Sequence, residues 1–183
     1  MACELITFIF RALAAFSGAL YRTHPGLLPA ESAQINTNND TLKAFRTFSR
    51  VFAALAPYKA LLSIETKLLG VPLARHMFLE FPSDSNCWNT TEQFMLGSEL
   101  LVAPVLDPRI HLLRTYVPKG SWALHSWNAS NPSSTTIHSD GEWITFAAPL
   151  GQPVIMRRLR LIKTPTSIML AKVLRDPVFR GEV

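Results

Sequence analysis

The chain has 183 residues, of which 48% are hydrophobic and 10% aromatic, so it can bury a substantial core and is not an intrinsically disordered protein. The formal net charge of +5 raises the question of an acidic partner such as nucleic acid or a membrane surface. The basic residues are scattered until the last third of the chain, with no zinc-finger spacing and no regular aromatic stacking platform, so no nucleic-acid partner is predicted.

The first segment, Leu5 to Tyr21, is apolar enough to imitate a signal peptide or a membrane anchor. Arg11 interrupts it and the acidic Glu4 precedes it, whereas a signal peptide carries positive charge there and a spanning helix needs about 20 uninterrupted apolar residues. Its apolar residues recur at spacings of three and four, which predicts a buried helix and no membrane partner. They are Leu5, Ile9, Leu13, Phe16 and Leu20.

The next elements are a loop and a long helix. Residues 25–39 contain two prolines, one glycine and a polar run, which is typical of a loop. The helical pattern then runs from Leu42 to Leu69 with an adjustment at Pro57. We expect Asp40 or Thr41 to cap its start and Gly70 to stop it.

The middle of the chain has two short apolar runs. Leu73 to Phe81 is rich in aromatic residues and ends at a proline, which favours a strand. The polar residues 90–93 resemble a helix cap, so they predict a brief helix carrying residues 94–96 and closed by Gly97.

From Leu100 onward, short apolar pieces alternate with proline, glycine and polar clusters, which predicts an antiparallel β-sandwich. The predicted strands are residues 100–106, 112–117, 122–127, 142–147 and 154–161. We expect the basic cluster near their end to be a solvated strand edge or an interface, and residues 162–183 to be a basic, partly ordered terminus. The cluster and its followers are Arg157, Arg158, Arg160, Lys163, Lys172, Arg175 and Arg180.

The two cysteines, Cys3 and Cys87, are far apart and neither belongs to a C-x-x-C arrangement. No metal site, redox motif or cofactor is therefore predicted.

Several segments together carry a family resemblance that no single one would support. In chain order they are Arg22-Thr23-His24, Leu55-Ala56-Pro57-Tyr58, the run from Gly70 to Arg75, Phe81-Pro82-Ser83-Asp84, the run from Gln93 to Leu106, the run from Tyr116 to Trp122, and the run from Pro149 to Val154. Across residues 4–161 the chain resembles glycoside hydrolase family 31, the retaining α-glycosidases. The form of the first motif, with Gly26 and Pro29, is closest to the sulfoquinovosidase-like branch, although Pro25 and Leu27-Leu28 depart from that branch.

The resemblance implies an α/β part followed by an all-β part: the C-terminal part of a (β/α)8 barrel and then an antiparallel β-sandwich. We divide the chain into residues 1–88 for the barrel part, 89–165 for the β-sandwich and 166–183 for a tail. The family's catalytic aspartates lie on earlier barrel strands, with no counterpart between Met1 and Arg22. We therefore expect an N-terminal barrel portion to be missing, no catalytic residue in this chain, and no activity by the chain alone.

The resemblance also implies that His24 and Arg22 bind substrate. The matching family histidine lies at the sugar pocket, where an imidazole can donate a hydrogen bond to a ring hydroxyl, whereas Arg22 can either pair with a pocket carboxylate or anchor the loop. Asp84, Glu92 and Glu99 at the domain junction are interpreted as structural. The tryptophans at positions 88, 122, 127 and 143 are either packing residues or a sugar-stacking surface.

The leading expectation is therefore an α-glycosidase that hydrolyses an α-glucoside or a sulfoquinovoside, with carbohydrate as its partner. The alternative is a non-catalytic β-sandwich module whose tryptophans bind a glycan or a protein.

Overall fold

A computed structural model describes residues 11–18, 38–107, 109–127 and 135–180 of the chain. Residues 11–16 are helical, with Ala12, Ala15 and Phe16 buried, in line with the buried helix that was predicted there. Arg22 and His24 lie outside the described residues.

The predicted long helix is present as two helices, α1 (Asn39–Ala54) and α2 (Ala56–Leu69), which meet at Leu55. Pro57 lies in the first turn of α2, where its missing N–H breaks no intrahelical bond. The predicted stop at Gly70 is confirmed, since that residue caps α2 in the left-handed conformation with φ 71°.

The predicted cap of the first helix is wrong. The cap is Asn38, whose side chain accepts a hydrogen bond of 2.8 Å from the backbone N–H of Thr41. The Thr41 hydroxyl oxygen accepts in return from the Asn38 N–H, so Thr41 is the third residue of a reciprocal capping box.

The two short elements expected in the middle of the chain are exchanged in type. The expected strand at residues 73–81 is wrong: it is reduced to β1 (Ala74–Arg75), followed by the one-turn helix α3 (Met77–Glu80) and a 3₁₀ turn, Ser85–Trp88. The expected helix at residues 94–96 is wrong too, because Phe94–Leu96 forms strand β2. β2 pairs with β3 (Leu100–Ala103) across the turn at Gly97 and with the more distant β1, and these strand partners outweigh the local capping pattern.

All strand pairings in the described ranges are antiparallel, as predicted for the β-rich part. The remaining strands are β4 (Leu112–Val117), β5 (Gly120–Leu124), β6 (Thr135–Ser139), β7 (Glu142–Ala147) and β8 (Val154–Leu159). Six strands form one sheet in the order β1-β2-β3-β8-β5-β6, and β4 pairs with β7 in a separate two-stranded ribbon. The barrel part of the expected fold and the three-part domain division remain predictions.

The six-stranded sheet separates two hydrophobic cores. On β3, Leu100 and Val102 belong to the core under the helices, whereas Leu101 and Ala103 belong to the core under the β4–β7 ribbon. Alternate side chains of a strand point to opposite faces, so a strand buried on both faces is apolar at every position. β3 is buried along its whole length for this reason.

The C-terminal residues are more ordered than expected, since they form helix α4 (Pro165–Val173) and a 3₁₀ turn, Pro177–Arg180. Leu170 and Phe179 are completely buried in the core under the helices. The terminus therefore contributes to the fold in addition to carrying basic charge.

Among the described ranges, no helix combines the length and apolar character needed to cross a bilayer.

One buried lysine in the helical layer makes the stability of the chain depend on pH. Lys59 on α2 is 8% exposed, and its Nζ donates a hydrogen bond of 2.8 Å to the Ala15 carbonyl and lies 3.7 Å from the centre of the Phe52 ring. Burial lowers the pKa of Lys59 to about 8. Between that value and the ordinary lysine pKa, the unfolded chain holds a proton that the folded chain has released.

We predict that the free energy of unfolding of the natural chain rises relative to Lys59→Met as the pH rises from about 8 to about 10.5, with a slope of at most about 1.4 kcal/mol per pH unit. Urea unfolding at several pH values measures this difference. The raised pKa values of Cys87 and Tyr116 make the stability fall over part of the same pH range, but both residues are present in both proteins, so their contributions cancel in the difference. Lys43→Met, at an exposed position of α1, is the matched control and should give no such slope. A difference between the chain and Lys59→Met that does not change with pH would contradict the prediction.

Candidate functional site

The structure has a polar groove where the helical and β-rich parts meet, which we call the junction groove. Its volume is about 570 Å³. It is lined by the loop from Glu80 to Asn86 and by four residues of the β-rich part: Tyr116, Lys119, Asp140 and Gly141. The sequence-predicted site residues Arg22 and His24 lie outside the described residues, so their contact with sugar stays a prediction.

The central contact of the junction groove joins Asp84 to Tyr116. The Tyr116 hydroxyl donates to the Asp84 carboxylate at 2.6 Å, and the Asn86 amide donates to the same hydroxyl at 3.3 Å. Burial raises the pKa of Tyr116 to about 12, and the hydrogen bond to Asp84 adds to the shift. Asp84 also caps the 3₁₀ turn by accepting from the Asn86 N–H, which agrees with its interpretation as structural.

Gly141 allows this contact to form. It has φ 95°, and a Cβ at this position would lie 2.9 Å from the Tyr116 hydroxyl oxygen. Lys119 and Asp140 complete the groove with an ion pair of 3.5 Å that is exposed to solvent. The groove therefore presents hydroxyl, amide, carboxylate and ammonium groups, which suit hydrogen bonding to a polyol.

The four tryptophans do not form one surface. Trp122 is completely buried and donates to the Pro118 carbonyl at 2.9 Å, and the half-buried Trp127 packs on the core under the helices. Trp88 and Trp143 are exposed by 55% and 43% respectively. Trp88 stacks on Phe78 with 4.8 Å between ring centres, beside the loop that lines the junction groove, so only these two tryptophans are available to a ligand.

Two carboxylates contact the same guanidinium group, that of Arg75. The Arg75 guanidinium contacts Glu65 of α2 at 3.1 Å and Glu80 of α3 at 2.5 Å, and its Nε donates to the Pro72 carbonyl at 2.8 Å. Burial opposes a rise in the pKa of Arg75, but the hydrogen bonds and charges of the two glutamates outweigh it. The buried Arg75 guanidinium therefore joins two carboxylates and holds α2 and α3 together.

Glu99 is a second buried carboxylate without a catalytic arrangement. It is completely buried, and its Oε1 accepts from Arg160 at 2.9 Å. Burial raises its pKa, and the positive charges of Arg160 and Arg158 oppose that shift. The ion pair agrees with the structural role expected from the sequence.

Two important residues were missed by the sequence reasoning. Arg75 was noted only as part of a motif, and the signal that could have identified it is an arginine in a short apolar run with a glutamate five residues later. Gln93 was treated as part of a helix cap. Its side chain bridges to the backbone of Tyr116, donating at 2.7 Å and accepting at 2.8 Å, and so joins the ribbon to the main sheet.

No cluster of three or more histidine, cysteine, aspartate or glutamate side chains could hold a metal ion within the part of the chain that the structure describes. Cys87 is a buried free thiol. Burial raises its pKa to about 12, and the negative charge of Asp84 adds to the shift, so the thiol stays protonated and unreactive.

Comparison with known sequences identifies relatives of the β-rich part. A family model described as the glycosyl hydrolase family 31 C-terminal domain matches residues 70–162. The chain is 31% identical over 147 residues to a sulfoquinovosidase of Agrobacterium fabrum, covering 80% of this chain and 21% of that protein. It is 33% identical over 148 residues to the lysosomal alpha-glucosidase of Rattus norvegicus, covering 73% of this chain and 16% of that protein. The chain thus spans about a fifth or less of the length of these relatives.

Solved structures share the fold. A family 31 sulfoquinovosidase from E. rectale superposes with a TM-score of 0.76 and 23% identity over 94% of this chain and 24% of that one. A cycloalternan-degrading enzyme from Trueperella pyogenes superposes with a TM-score of 0.73 and 26% identity over 87% of this chain and 22% of that one.

We predict that Arg75→Met lowers the free energy of unfolding by about 3 kcal/mol, because it leaves two carboxylates without their shared cation. The free energy from urea unfolding measures the loss. Arg109→Met is the matched control. It breaks an ion pair with Asp107 in which the arginine side chain is 86% exposed, and it should leave the free energy of unfolding almost unchanged, because solvent screens such a pair. Equal losses in the two variants would contradict the role assigned to Arg75.

Proposed function

Because the chain belongs to glycosyl hydrolase family 31, we propose that it forms the barrel-to-β-domain junction and the C-terminal β-domain of a retaining α-glycosidase that hydrolyses O-glycosidic bonds. The observation that carries the proposal is the family match over residues 70–162, within a chain that superposes over 94% of its length on a family 31 enzyme.

We assign this chain a supporting role in a glycosidase that hydrolyses its substrate with retention of anomeric configuration. A retaining glycosidase needs a nucleophile and an acid–base carboxyl group about 5–5.5 Å apart on either side of the scissile bond. The buried or partly buried carboxylates described above are already engaged: Glu65 and Glu80 by Arg75, Asp84 by Tyr116, and Glu99 by Arg160. We therefore propose that both catalytic aspartates belong to barrel strands of a complete enzyme and that this chain alone is inactive.

In the complete enzyme, His24 donates a hydrogen bond to a hydroxyl of the sugar, and Arg22 either pairs with a pocket carboxylate or anchors the loop that carries His24. The substrate class is an α-glucoside or a sulfoquinovoside, since both a sulfoquinovosidase and an alpha-glucosidase are among the relatives.

We predict that the purified chain does not hydrolyse 4-nitrophenyl α-glucoside or 4-nitrophenyl α-sulfoquinovoside, as measured by release of nitrophenolate. Turnover that Glu80→Gln abolishes would overturn the proposal, because it would place a catalytic carboxylate within this chain. Turnover that any of Glu65→Gln, Asp84→Asn or Glu99→Gln abolishes would overturn it likewise, whereas turnover that all four variants leave unchanged identifies a contaminating glycosidase.

The complementary measurement is the sequence of the full-length transcript that encodes the chain. We expect a reading frame that continues upstream of Met1 and encodes a barrel with two aspartates, and its product should release sugar with retained anomeric configuration. In that product, His24→Ala should lower kcat/KM, whereas His111→Ala, outside the proposed sugar contacts, should not.

A second function, glycan binding without catalysis, is favoured by the two exposed tryptophans. Trp88 flanks the polar junction groove, and Trp143 packs on Tyr116 with 5.4 Å between ring centres. Exposed aromatic rings next to hydrogen-bonding groups are the usual means of holding a pyranose ring.

If this second function holds, maltoheptaose binds saturably in calorimetry, and Trp88→Ala and Trp143→Ala each weaken binding about tenfold. Leu112→Ala removes an exposed apolar side chain from β4 and is the matched control, which should leave binding unchanged. Absence of saturable binding by the natural chain removes this second function and leaves the first one standing.

A further inference from the structure

A second groove lies between the end of β8 and helix α4, and we call it the basic groove. Its volume is about 450 Å³. Six of the residues that line it are cationic: Arg157, Arg158, Arg160, Lys163, Lys172 and Arg175. The sequence predicted a solvated strand edge or an interface here, and the structure has an open groove lined mostly by exposed cationic side chains at this position.

Two of these six cations already have partners. Arg160 is paired with the buried Glu99, and Arg158 lies over the Phe81 ring with 4.7 Å to its centre. The other four, namely Arg157, Lys163, Lys172 and Arg175, have no carboxylate within ion-pair distance among the described residues. Four positive charges therefore converge on one cavity without compensation.

Burial and mutual repulsion disfavour the positive charge of the arginines in this cluster. Burial lowers the pKa of the Arg157 guanidinium; the charge of Glu99 opposes that shift, and the positive charge of Arg175 adds to it. Burial and the positive charge of Arg160 lower the pKa of the Arg158 guanidinium as well. The end of α4 offers only about half an elementary negative charge through its dipole, which does not balance four cations.

The shape of the cavity limits the ligand. The basic groove is closed on two sides and is large enough for a small molecule, whereas nucleic acid requires an open basic stripe along the surface. Its wall also contains Leu159, Ala171 and Ile168, the last of which is 55% exposed. Cations above an apolar wall suit a compact oxyanion attached to a small organic group.

We propose that the basic groove binds the phosphate group of a small phosphorylated molecule, with Arg157 and Arg175 holding the phosphate oxygens and Lys172 and Lys163 contributing further positive charge. A guanidinium forms two parallel hydrogen bonds to phosphate oxygens, and such charge-assisted bonds are the strongest that the chain can offer this ligand class. The proposal is independent of the glycosidase function, because no residue of the junction groove takes part in it.

The test is calorimetric titration of the whole chain with inorganic pyrophosphate at fixed ionic strength. We expect saturable binding of one pyrophosphate per chain, and Arg157→Gln and Arg175→Gln should each weaken it about tenfold. Arg175 is exposed, so its substitution leaves the core intact and keeps the test valid if Arg157→Gln impairs folding. Arg46→Gln and Arg50→Gln remove the same charge from exposed positions of α1 and should leave the affinity unchanged.

A second set of titrations identifies the source of the phosphate group. Binding of glycerol 3-phosphate supports a soluble phosphate ester, and binding of phosphatidylcholine vesicles only when they contain phosphatidic acid supports a lipid headgroup. The proposal is overturned by the absence of saturable pyrophosphate binding or by equal weakening in the groove variants and the α1 controls. It is also overturned if the chain binds single-stranded RNA with an affinity that rises with RNA length but does not bind pyrophosphate.

Discussion

Burial of both faces of the six-stranded sheet is the constraint on which the rest of the structure depends. Strands β3 and β8 have apolar side chains on alternate faces, so each face requires its own cover. The helical layer and the C-terminal helix cover one face, and the β4–β7 ribbon covers the other. The C-terminal residues are therefore ordered, since without α4 and Phe179 the helical side of the sheet would lose part of its core.

Three polar side chains connect the elements that meet between the helical part and the β-rich part of the chain. Arg75 ties α2 to the turn after β1, Gln93 ties the main sheet to the ribbon, and Tyr116 ties the ribbon to the loop of Asp84. Arg75 donates hydrogen bonds to Pro72 and Glu80, Gln93 exchanges two with the Tyr116 backbone, and the Tyr116 hydroxyl donates to Asp84. Such partners lower the energetic cost of burying polar side chains.

The two grooves differ in the charge of the residues that line them. The junction groove is lined by three carboxylates, Glu80, Asp84 and Asp140, and by one ammonium group, that of Lys119, so its charged lining is mainly acidic. The basic groove is lined by six cationic residues and by no carboxylate. The overall charge of +5 is thus concentrated where the chain has a cavity, and electrostatics favours an anion there.

The sequence by itself determined the features that are marked by a regular pattern of residues or by a set of motifs along the chain. Helical periodicity and Gly70 identified α1 and α2, the alternation of apolar and turn residues located β4 and β7 at their observed bounds, and the spaced motifs identified the family. The family resemblance also singled out Arg22 and His24, which lie outside the described residues. Tertiary structure alone decided the short runs at residues 73–81 and 94–96, because an apolar run of this length becomes helix or strand according to the partner it meets. It also decided which tryptophans are exposed and that Arg75 joins two glutamates, since burial and long-range ion pairing depend on contacts between residues distant in the chain.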